Sequence, residues 1–494
     1  MIERYSNQKI KTIWSNEEKL KRWQEVELAV IFAREQMGIF PQGIHERIKA
    51  ILENKPIDVD WWKARDKEIN HDLNAFIDER IRHLPPELHQ YFHKGMTSYD
   101  TEEPAMALAL IASFNEVIDL IEPFRIVLLK LTRLYRYTPM LARTHGQEAK
   151  LQSFGKRCFT WLSGFQVSVW QLSHAQDHLK FSKLSGAIGN YQGLSPEEEA
   201  FALKLLGLKP FRGATQIMPR GIYLPLANAL EQLVASLTQI AEDIRLGARS
   251  GLPIMQEPFG KKQKGSSAMP HKKNTITCEQ QIGMLTMVQK FANMLRERMI
   301  TWEERAIEQS CVERVAWPDL FHIVMQSFKN MNKVLSGLQV FPDNMMIEII
   351  NSRSCYASED VKDWLKEKVA EYGLQHEDAY RMVQLAAFNC HQVSLFRENI
   401  RKRSIPSFDA AAGLYRSLLE HLRHTDDYVT LEEIIRNGKL VPSEELEASA
   451  EQVAQWNEIL LRIFADEQNQ QSFKQLFTIA YQLRNEHILF EELK

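Results

Sequence analysis

The chain contains 494 residues, and at roughly 150 residues per domain this length accommodates about three domains. Hydrophobic residues make up 44% of the sequence and charged residues 25%, so the chain can bury large cores and is not expected to be intrinsically disordered. The 61 lysines and arginines nearly balance the 64 aspartates and glutamates, whereas a dedicated nucleic-acid binder usually carries a basic excess. We therefore predict no nucleic-acid partner.

Glycine and proline are scarce, with 21 and 18 residues, which disfavours a β-sandwich or barrel and favours long helices. The five cysteines are widely spaced and form no C-x-x-C pair, so the sequence predicts neither a disulfide framework nor a metal site. The N-terminal stretch lacks the apolar core of a signal peptide, and no apolar run approaches about 18 residues. These features predict a cytoplasmic protein without membrane contact.

Apolar residues recur at helical spacing in three long segments, which lie at 117–131, 226–244 and 282–295. In the second segment the apolar positions include Leu230, Leu233 and Leu237, and charged residues fall between them. No segment of comparable length alternates with period two. Long amphipathic helices bury their apolar stripes against each other, so we predict an all-α fold with a central helical bundle.

Proline breaks divide the predicted helices into three segments. We predict an N-terminal helical domain at 1–111, a central helical bundle at 112–364 and a C-terminal helical domain with an extended tail at 365–494. The role of the tail beyond about residue 440 is not readable from the sequence.

A loop between two of the predicted long helices combines small residues with positive charge. The segment 257–274 holds two glycines, two prolines, two adjacent serines and five lysines, and it has no acidic residue after Glu257. Backbone N–H groups and ammonium groups that converge in such a loop suit an anionic ligand. A solvated basic surface loop is the alternative interpretation, since charge runs are usually exposed.

The order of residues in this loop is specific. The sequence G-S-S-A-M-P-H-K-K-N at 265–274 closely resembles the signature of the fumarase/aspartase superfamily, GSSxMPxKxN, and every fixed position is present. The resemblance implies an all-helical, three-domain homotetramer around a central bundle, with active sites shared between subunits. It also implies β-elimination of fumarate from a succinyl-bearing substrate without a metal or organic cofactor.

The chemistry of elimination explains why these residue types are needed. Removing a proton from carbon beside a carboxylate builds negative charge, which Lys272 and Asn274 can stabilise. By resemblance, the base is Ser266 acting as its alkoxide. A serine hydroxyl is a weak base at pH 7, so we expect the neighbouring lysine and loop amides to stabilise the anion. The leaving nitrogen needs a general acid, and histidine suits this role near neutral pH.

The sequence Arg143-Thr-His-Gly-Gln147 resembles the motif around the acid histidine of adenylosuccinate lyases. The resemblance implies that His145 protonates the leaving nitrogen N6 and that Glu279 pairs with this histidine. A carboxylate beside an imidazole fixes its tautomer and raises its pKa, which keeps it protonated. Taken alone, His145 would more often be an ordinary packed or surface histidine.

Further segments resemble those with which adenylosuccinate lyases bind the nucleotide and succinyl parts of their substrate. A phosphate also calls for arginine forks and hydroxyl donors. The resemblance implies these substrate-binding residues: Arg4, Tyr5, Asn70, His71, Asp72, His93, Thr97, Ser98, Thr144, Gln216, Ser267, Lys273, Arg305, Ser310 and Arg314. The segment 183–189 resembles a loop of the same family, and Arg220 lies close to Gln216 in the sequence.

The resemblance predicts an adenylosuccinate lyase that forms AMP and fumarate from N6-succinyl-AMP and also acts on SAICAR, giving AICAR. Four positions depart from the family pattern and bear on substrate choice: Glu148, Thr275, Glu303 and Ala306. A related lyase that eliminates fumarate from another succinylated amine is therefore the alternative. A catalytically inactive helical scaffold is a further alternative, but such a protein should have lost Ser266, His145 or Lys272, and all three are present.

Overall fold

The computed structural model describes residues 1–391, 413, 428–443 and 446–491. These residues are predominantly helical, which confirms the predicted all-α fold class. The helices are α1 (Gln8–Ile13), α2 (Asn16–Gln36), α3 (Ile44–Glu53), α4 (Val59–Ile69), α5 (Asp72–Ile81), α6 (Pro86–His89), α7 (Ser98–Leu134), α8 (Phe154–Ala175), α9 (Pro196–Leu205), α10 (Leu224–Gly247), α11 (Ile276–Glu297), α12 (Glu308–Ser336), α13 (Pro342–Asn351), α14 (Ser358–Ala370), α15 (His376–His391), α16 (Leu431–Arg436), α17 (Ala450–Ile463), α18 (Glu467–Gln475), α19 (Ile479–Gln482) and α20 (His487–Glu491).

Short 3-10 helices and strands connect these helices. The 3-10 helices are Glu3–Tyr5, Gln176–Lys180, Arg220–Tyr223 and Cys355–Ala357. The strands are β1 (Pro139–Thr144), β2 (Gln147–Ser153), β3 (Phe181–Ser182), β4 (Lys209–Pro210), β5 (Met255–Gln256) and β6 (Gln339–Val340). Strands β1 and β2 form an antiparallel hairpin, and β3 pairs with β4 in parallel. The sequence did not predict the hairpin.

The chain folds into two compact units. Unit 1 comprises Met1–Leu128, Trp161–Ala248 and Gln256–Gln339, and unit 2 comprises Leu129–Thr160, Arg249–Met255 and Val340–Lys494. The predicted division at residues 111 and 112 falls inside α7, and the division at 364 and 365 falls inside α14. The three-segment organisation stays a prediction.

Unit 1 is built on long helices whose apolar faces meet. Helix α11 packs against both α10 and α12. On α7, the ring of Phe124 lies 4.9 Å from that of Phe165 on α8 and 5.5 Å from that of Phe328 on α12. All three rings are buried, and so are the predicted apolar positions of α10. The predicted bundle of long helices is therefore present.

Helix α7 is also the one described helix that is long and apolar enough to cross a membrane by length and composition. Its most apolar 18-residue window has a mean hydropathy of 1.6, and 44% of that window is buried within the protein. Because Phe114 and Phe124 of this helix are among the most deeply buried side chains, α7 serves as a core helix of unit 1.

The start of α11 is fixed by the first residue of the lysine-rich loop. The first N–H groups of a helix lack partners within the helix, and a carboxylate near them also interacts favourably with the helix dipole. The buried carboxylate of Glu257 accepts hydrogen bonds from the N–H groups of Thr277 at 3.1 Å and Cys278 at 3.0 Å. Glu257, where the loop begins, therefore lies against residues 277 and 278, which follow shortly after the loop ends.

Unit 2 has its own apolar core. It gathers side chains from α13 to α18 together with Leu141 and Leu151 of the hairpin. In this core the ring of Trp364 stacks 5.5 Å from Phe464, and Phe473 lies within 5.0 Å of both rings. The hairpin is thus anchored by its apolar residues, and its turn is left exposed.

We expect Phe124→Ala to lower the free energy of unfolding by about 3–5 kcal/mol, because it leaves a cavity between three helices. Ile39→Ala, which truncates a side chain that is 53% exposed, should cost less than about 1 kcal/mol. Denaturant titrations followed by circular dichroism check both values. Equal losses for the two variants would show that Phe124 does not lie in the core.

Candidate active site

The predicted general acid lies at the tip of the hairpin. Thr144 pairs with Gln147, so His145 and Gly146 form a two-residue turn, with φ of 54° and 78°. Left-handed conformation at both positions is characteristic of the type I′ turn, which matches the twist of a hairpin. The imidazole of His145 is exposed, and Arg143 donates to Glu348 of α13 at 3.0 Å within unit 2. The hairpin is therefore attached to α13 by an ion pair, and His145 is exposed at its tip.

The predicted base lies in the lysine-rich loop of unit 1. Ser266 Oγ accepts hydrogen bonds from the backbone N–H groups of Met269 at 3.1 Å and Ala268 at 3.4 Å. Two backbone donors that point at one hydroxyl oxygen would stabilise negative charge on that oxygen. Ser267, Lys272 and Lys273 are exposed in the same loop.

Close backbone contact gives this loop its shape. A Cβ on Gly265 would lie 2.0 Å from the carbonyl oxygen of Lys272, so a larger residue cannot replace this glycine without a shift of the loop. The side-chain amide of Asn274 donates to the carbonyl of Gly265 at 2.8 Å. Asn274, predicted to bind the developing carboxylate, thus also braces the loop next to Ser266. Glu279, the predicted partner of His145, is exposed in the first turn of α11.

Several predicted substrate-binding segments meet in unit 1. Arg305 donates to the side-chain oxygen of Gln216 at 2.7 Å, and its guanidinium lies 4.4 Å from the ring centroid of Tyr99. The hydroxyl of Thr215 donates to the carbonyl of Glu304 at 2.7 Å. The buried ammonium of Lys183 lies 2.7 Å from Asp100 and donates to the carbonyl of Gln216 at 3.0 Å. The structure therefore brings together segments that are far apart in the sequence.

The residues predicted to contact phosphate lie on α12 or in the N-terminal segment that packs against this helix. Ser310 is buried near the start of this helix, and Arg314 lies one turn further on. The N-terminal segment docks on the same helix, because the amine of Met1 lies 2.8 Å from Asp319 and the N–H of Asn7 donates to His322 at 2.9 Å. The 3-10 helix Glu3–Tyr5 places Arg4 and Tyr5 in this docked segment, with Arg4 exposed.

Arg314 is held by two acidic residues. Its guanidinium lies 2.8 Å from Asp72 and 3.5 Å from Glu102 of α7, while Lys19 of α2 lies 3.8 Å from Asp72. Ser310 and Arg314 line a cavity of about 220 Å³ together with Lys19 and Glu102. Sequence reasoning missed Lys19 and Glu102, and no motif singled them out.

Some predicted substrate-binding residues hold the fold together. Asn70, with φ of 54°, ends α4, and the ring nitrogen of His71 accepts the N–H of Asn74 at the start of α5. The N–H of Thr97 donates to Asp100 at 2.9 Å, just before Ser98 begins α7. These contacts are structural, and a role in binding substrate stays a prediction for each residue.

His93 also has an internal partner. Burial alone would lower the pKa of its imidazole, but the carboxylate of Glu27, 2.7 Å away, outweighs burial and raises the pKa above its ordinary value. The N–H of His93 donates to the same carboxylate at 3.1 Å. Arg220, near Gln216 in the sequence, is buried and bonded at 2.8 Å to both Glu103 and Glu313. This arginine is a structural ion-pair residue.

The comparisons with known proteins agree with these motifs. Residues 2–290 match the protein family described as Lyase. The chain is 37% identical over 384 residues to an adenylosuccinate lyase from Thermotoga maritima, covering 78% of this chain and 87% of that protein. It is 30% identical over 399 residues to an adenylosuccinate lyase from Bacillus subtilis, covering 81% and 91%.

Solved structures share the fold. A fumarate lyase from Mesorhizobium sp. BNC1 superposes with a TM-score of 0.73 at 21% identity, covering 100% of this chain and 99% of that chain. A β-carboxy-cis,cis-muconate cycloisomerase from Acinetobacter calcoaceticus sp. ADP1 superposes with a TM-score of 0.69 at 18% identity, covering 95% and 97%. The chain is therefore a C–N lyase that belongs to the adenylosuccinate lyase family of the fumarase/aspartase superfamily. This confirms the family predicted from the sequence.

Other predictions stay untested by these observations. His145 belongs to unit 2 and Ser266 to unit 1, so their opposition across a substrate stays a prediction, as does the pairing of His145 with Glu279. Among the described residues, no group of three or more histidine, cysteine, aspartate or glutamate side chains is arranged to hold a metal ion.

We expect Gly265→Ala to reduce lyase turnover by about a hundredfold or more, because the added methyl group displaces the backbone beside Ser266. Gly260→Ala in the same loop is the matched control, since its Cβ would meet nothing closer than 3.7 Å. Steady-state kinetics of both variants, with thermal melts to verify folding, check the prediction. Full activity in Gly265→Ala would show that the loop tolerates the shift.

Proposed function

We propose that this protein eliminates fumarate from N6-succinyl-AMP, releasing AMP, and from SAICAR, releasing AICAR, in purine nucleotide biosynthesis. The adenylosuccinate lyases that it resembles over 78% or more of its length support this proposal. The backbone donors at Ser266 Oγ are the structural observation that carries it, because elimination from carbon needs a stabilised base.

In the first proposed step, the Ser266 alkoxide removes a proton from the succinyl carbon next to a carboxylate. The electron pair of the C–H bond moves onto that carboxylate, which becomes a dianion. Lys272 supplies positive charge in the same loop, and Asn274 supplies an amide donor beside Gly265. The N–H groups of Ala268 and Met269 keep the serine anion accessible near neutral pH.

In the second proposed step, the bond between carbon and N6 breaks. Its electron pair goes to N6, the dianion collapses to form the double bond of fumarate, and the imidazolium of His145 gives its proton to N6. Exposure at the tip of a two-residue turn leaves His145 free to reach a substrate. A carboxylate partner such as Glu279 would keep the imidazole protonated for this transfer.

For substrate binding, we propose that Ser310 and Arg314 of α12 hold the nucleotide phosphate together with Arg4 and Tyr5 of the docked N-terminal segment. An arginine fork matches a phosphate in geometry and charge. Gln216 and Arg305, which are already joined by a hydrogen bond, are proposed to contact the substrate beside them.

A lyase that acts on a different succinylated amine is the second candidate. One observation favours it: Arg314, which is proposed to hold the phosphate, is already paired with Asp72 and Glu102. The ultraviolet absorbance change on adding succinyl-AMP separates the two candidates. Turnover supports the first, and a folded protein without turnover favours the second.

We expect Ser266→Ala to lower turnover by a factor on the order of 10³ to 10⁶, as seen when other catalytic groups are removed, while substrate binding survives. Ser173→Ala provides the matched control, because this exposed hydroxyl of α8 donates to the carbonyl of Trp170 in its own helix. Turnover is followed by absorbance and binding by calorimetry. Unchanged turnover in Ser266→Ala would exclude this residue as the base.

We also propose a homotetramer in which subunits share their active sites. Support comes from large apolar side chains that are exposed on the long helices, among them Val167 and Trp170, which lie three residues apart on one face of α8, since neighbouring exposed apolar side chains can mark an interaction site. Ile126 of α7 is 52% exposed, and Trp170 and Val167 of α8 are 57% and 41% exposed.

Mixing two inactive variants tests the shared site. We expect Ser266→Ala and His145→Ala to be inactive separately and to regain measurable turnover when they are mixed, unfolded and refolded together, because some sites then combine both intact residues. Light scattering on the wild-type protein measures the subunit number. A monomer with full activity, or no recovery from a mixture that does assemble, would contradict the proposal.

A further inference from the structure

The cavity beside Arg314 is charged as well as aromatic. It lies among α2, α7 and α12, and Trp14, Trp23 and Tyr99 contribute to its walls. The charged side chains that line it are Lys19, Arg22, Glu102, Glu313 and Arg314. Glu313 is engaged by Arg220 at 2.8 Å. The charges of the other four side chains, together with that of Asp72 beside Arg314, therefore determine which ligands the cavity can bind.

Glu102 differs from Asp72 in the cations that surround its carboxylate. Its side chain is only 13% exposed, and its carboxylate lies 3.5 Å from the guanidinium of Arg314. Asp72 contacts the same guanidinium at 2.8 Å, and it has Lys19 as a second cationic neighbour at 3.8 Å. Asp72 therefore keeps a partner when Arg314 turns to a ligand, whereas the direct ion pair of Glu102 is with Arg314.

We propose that Glu102 is a proton-linked specificity residue, whose carboxyl group must be neutral for Arg314 to hold a phosphate-bearing ligand. This inference rests on the proposed role of Arg314 in binding the nucleotide phosphate. Glu102 acts through Arg314 and is a positioning residue.

The balance of charge gives the reason. With Glu102 ionised, its negative charge offsets one of the cations Lys19, Arg22 and Arg314 that line the cavity, and a phosphate dianion on Arg314 would meet a carboxylate 3.5 Å from that guanidinium. Like charges at short range in a poorly solvated site repel strongly. When Glu102 takes up a proton, the net charge around the cavity rises by one unit, and the dianion is attracted more strongly.

The groups that face Glu102 come from every element around it: Lys19 of α2, Asp72 of α5, Tyr99 of its own helix, Arg305 before α12, and Arg314 of α12. Burial is the largest influence and raises the pKa of Glu102, and Asp72 raises it further. The cations Arg314, Arg305 and Lys19 offset this only in part, so the pKa of Glu102 lies at about 7.

The direction of the pH dependence follows from this pKa. The neutral form of Glu102 predominates below pH 7 and is lost as the pH rises through 7. Phosphate monoesters have their second pKa near 6 and are dianions throughout pH 7 to 8.5. The affinity for a phosphate monoester should therefore fall as the pH rises across this range.

The experiment measures AMP binding to the full-length protein by calorimetry between pH 7 and 8.5, with inorganic phosphate as a second probe. For the wild type we expect the AMP dissociation constant to rise roughly tenfold, because the neutral fraction of a group with this pKa falls by about that factor. Because Glu102→Gln mimics the neutral acid, we expect the AMP dissociation constant of this variant to stay constant between pH 7 and 8.5 and to be lower than that of the wild type at pH 8.5. Glu122→Gln, at an exposed site of the same helix, should reproduce the wild-type slope.

The outcomes separate this inference from the proposed function. A flat wild-type profile, an unchanged slope in a folded Glu102→Gln, or no binding of AMP or phosphate by the wild type overturns the inference. Turnover of succinyl-AMP with such a flat profile leaves the proposed function intact. An AMP slope that Glu102→Gln removes, in a protein that does not convert succinyl-AMP, supports the inference and defeats the proposed function.

Discussion

A serine can act as a base only where its anion is held by donors that stay in place as charge develops, and the backbone around Ser266, the proposed base, supplies two such donors. The N–H groups of Ala268 and Met269 point at Ser266 Oγ because the loop folds back within a few residues. That fold depends on the near contact between Gly265 and the carbonyl of Lys272. Glu257 then fastens the loop to the first turn of α11. The geometry around the proposed base thus depends on a stable helix rather than on a free surface segment.

Arg220 and Arg314 of unit 1 differ in how deeply their side chains are buried. Arg220 has a side chain that is 1% exposed and is bonded to two glutamates, so moving it would leave buried charges unpaired at high cost. Arg314 is 54% exposed and opens onto a cavity. Its guanidinium can therefore reach a ligand in the cavity, which the buried guanidinium of Arg220 cannot do. The sequence predicts Arg314 as a substrate contact and places Arg220 close to Gln216, and the surroundings of the two arginines distinguish them.

Much of the fold could be predicted from the sequence because helical periodicity is a local signal. The apolar stripe at 226–244 became α10, and the stripes at 117–131 and 282–295 lie in α7 and α11. The hairpin at 139–153 was missed since its strands are short and carry charged residues such as Arg143 and Lys150 on their exposed face. A two-residue His-Gly turn was the available signal.

Candidate site residues that belong to a sequence motif could be predicted, whereas residues that reach the site through tertiary contacts alone could not. Ser266, Gly265 and Asn274 come from one contiguous motif. In contrast, Glu102 and Lys19 join Asp72 beside Arg314 from two further helices, and no local pattern records such contacts. Capping roles are likewise invisible in a family motif, which is why His71 and Thr97 were read only as substrate contacts.

The two-residue turn that presents His145 also restricts how this region can change over evolution. Both turn positions have left-handed backbone, and the register from Thr144–Gln147 back to Pro139–Ser153 is set by the length of the turn together with one irregularity between Leu141 and Arg143. One inserted residue would exchange the two faces of a strand and pull Leu141 or Leu151 out of the core of unit 2. Insertions and deletions among related sequences should therefore accumulate in other connections, and the length of this hairpin should stay constant.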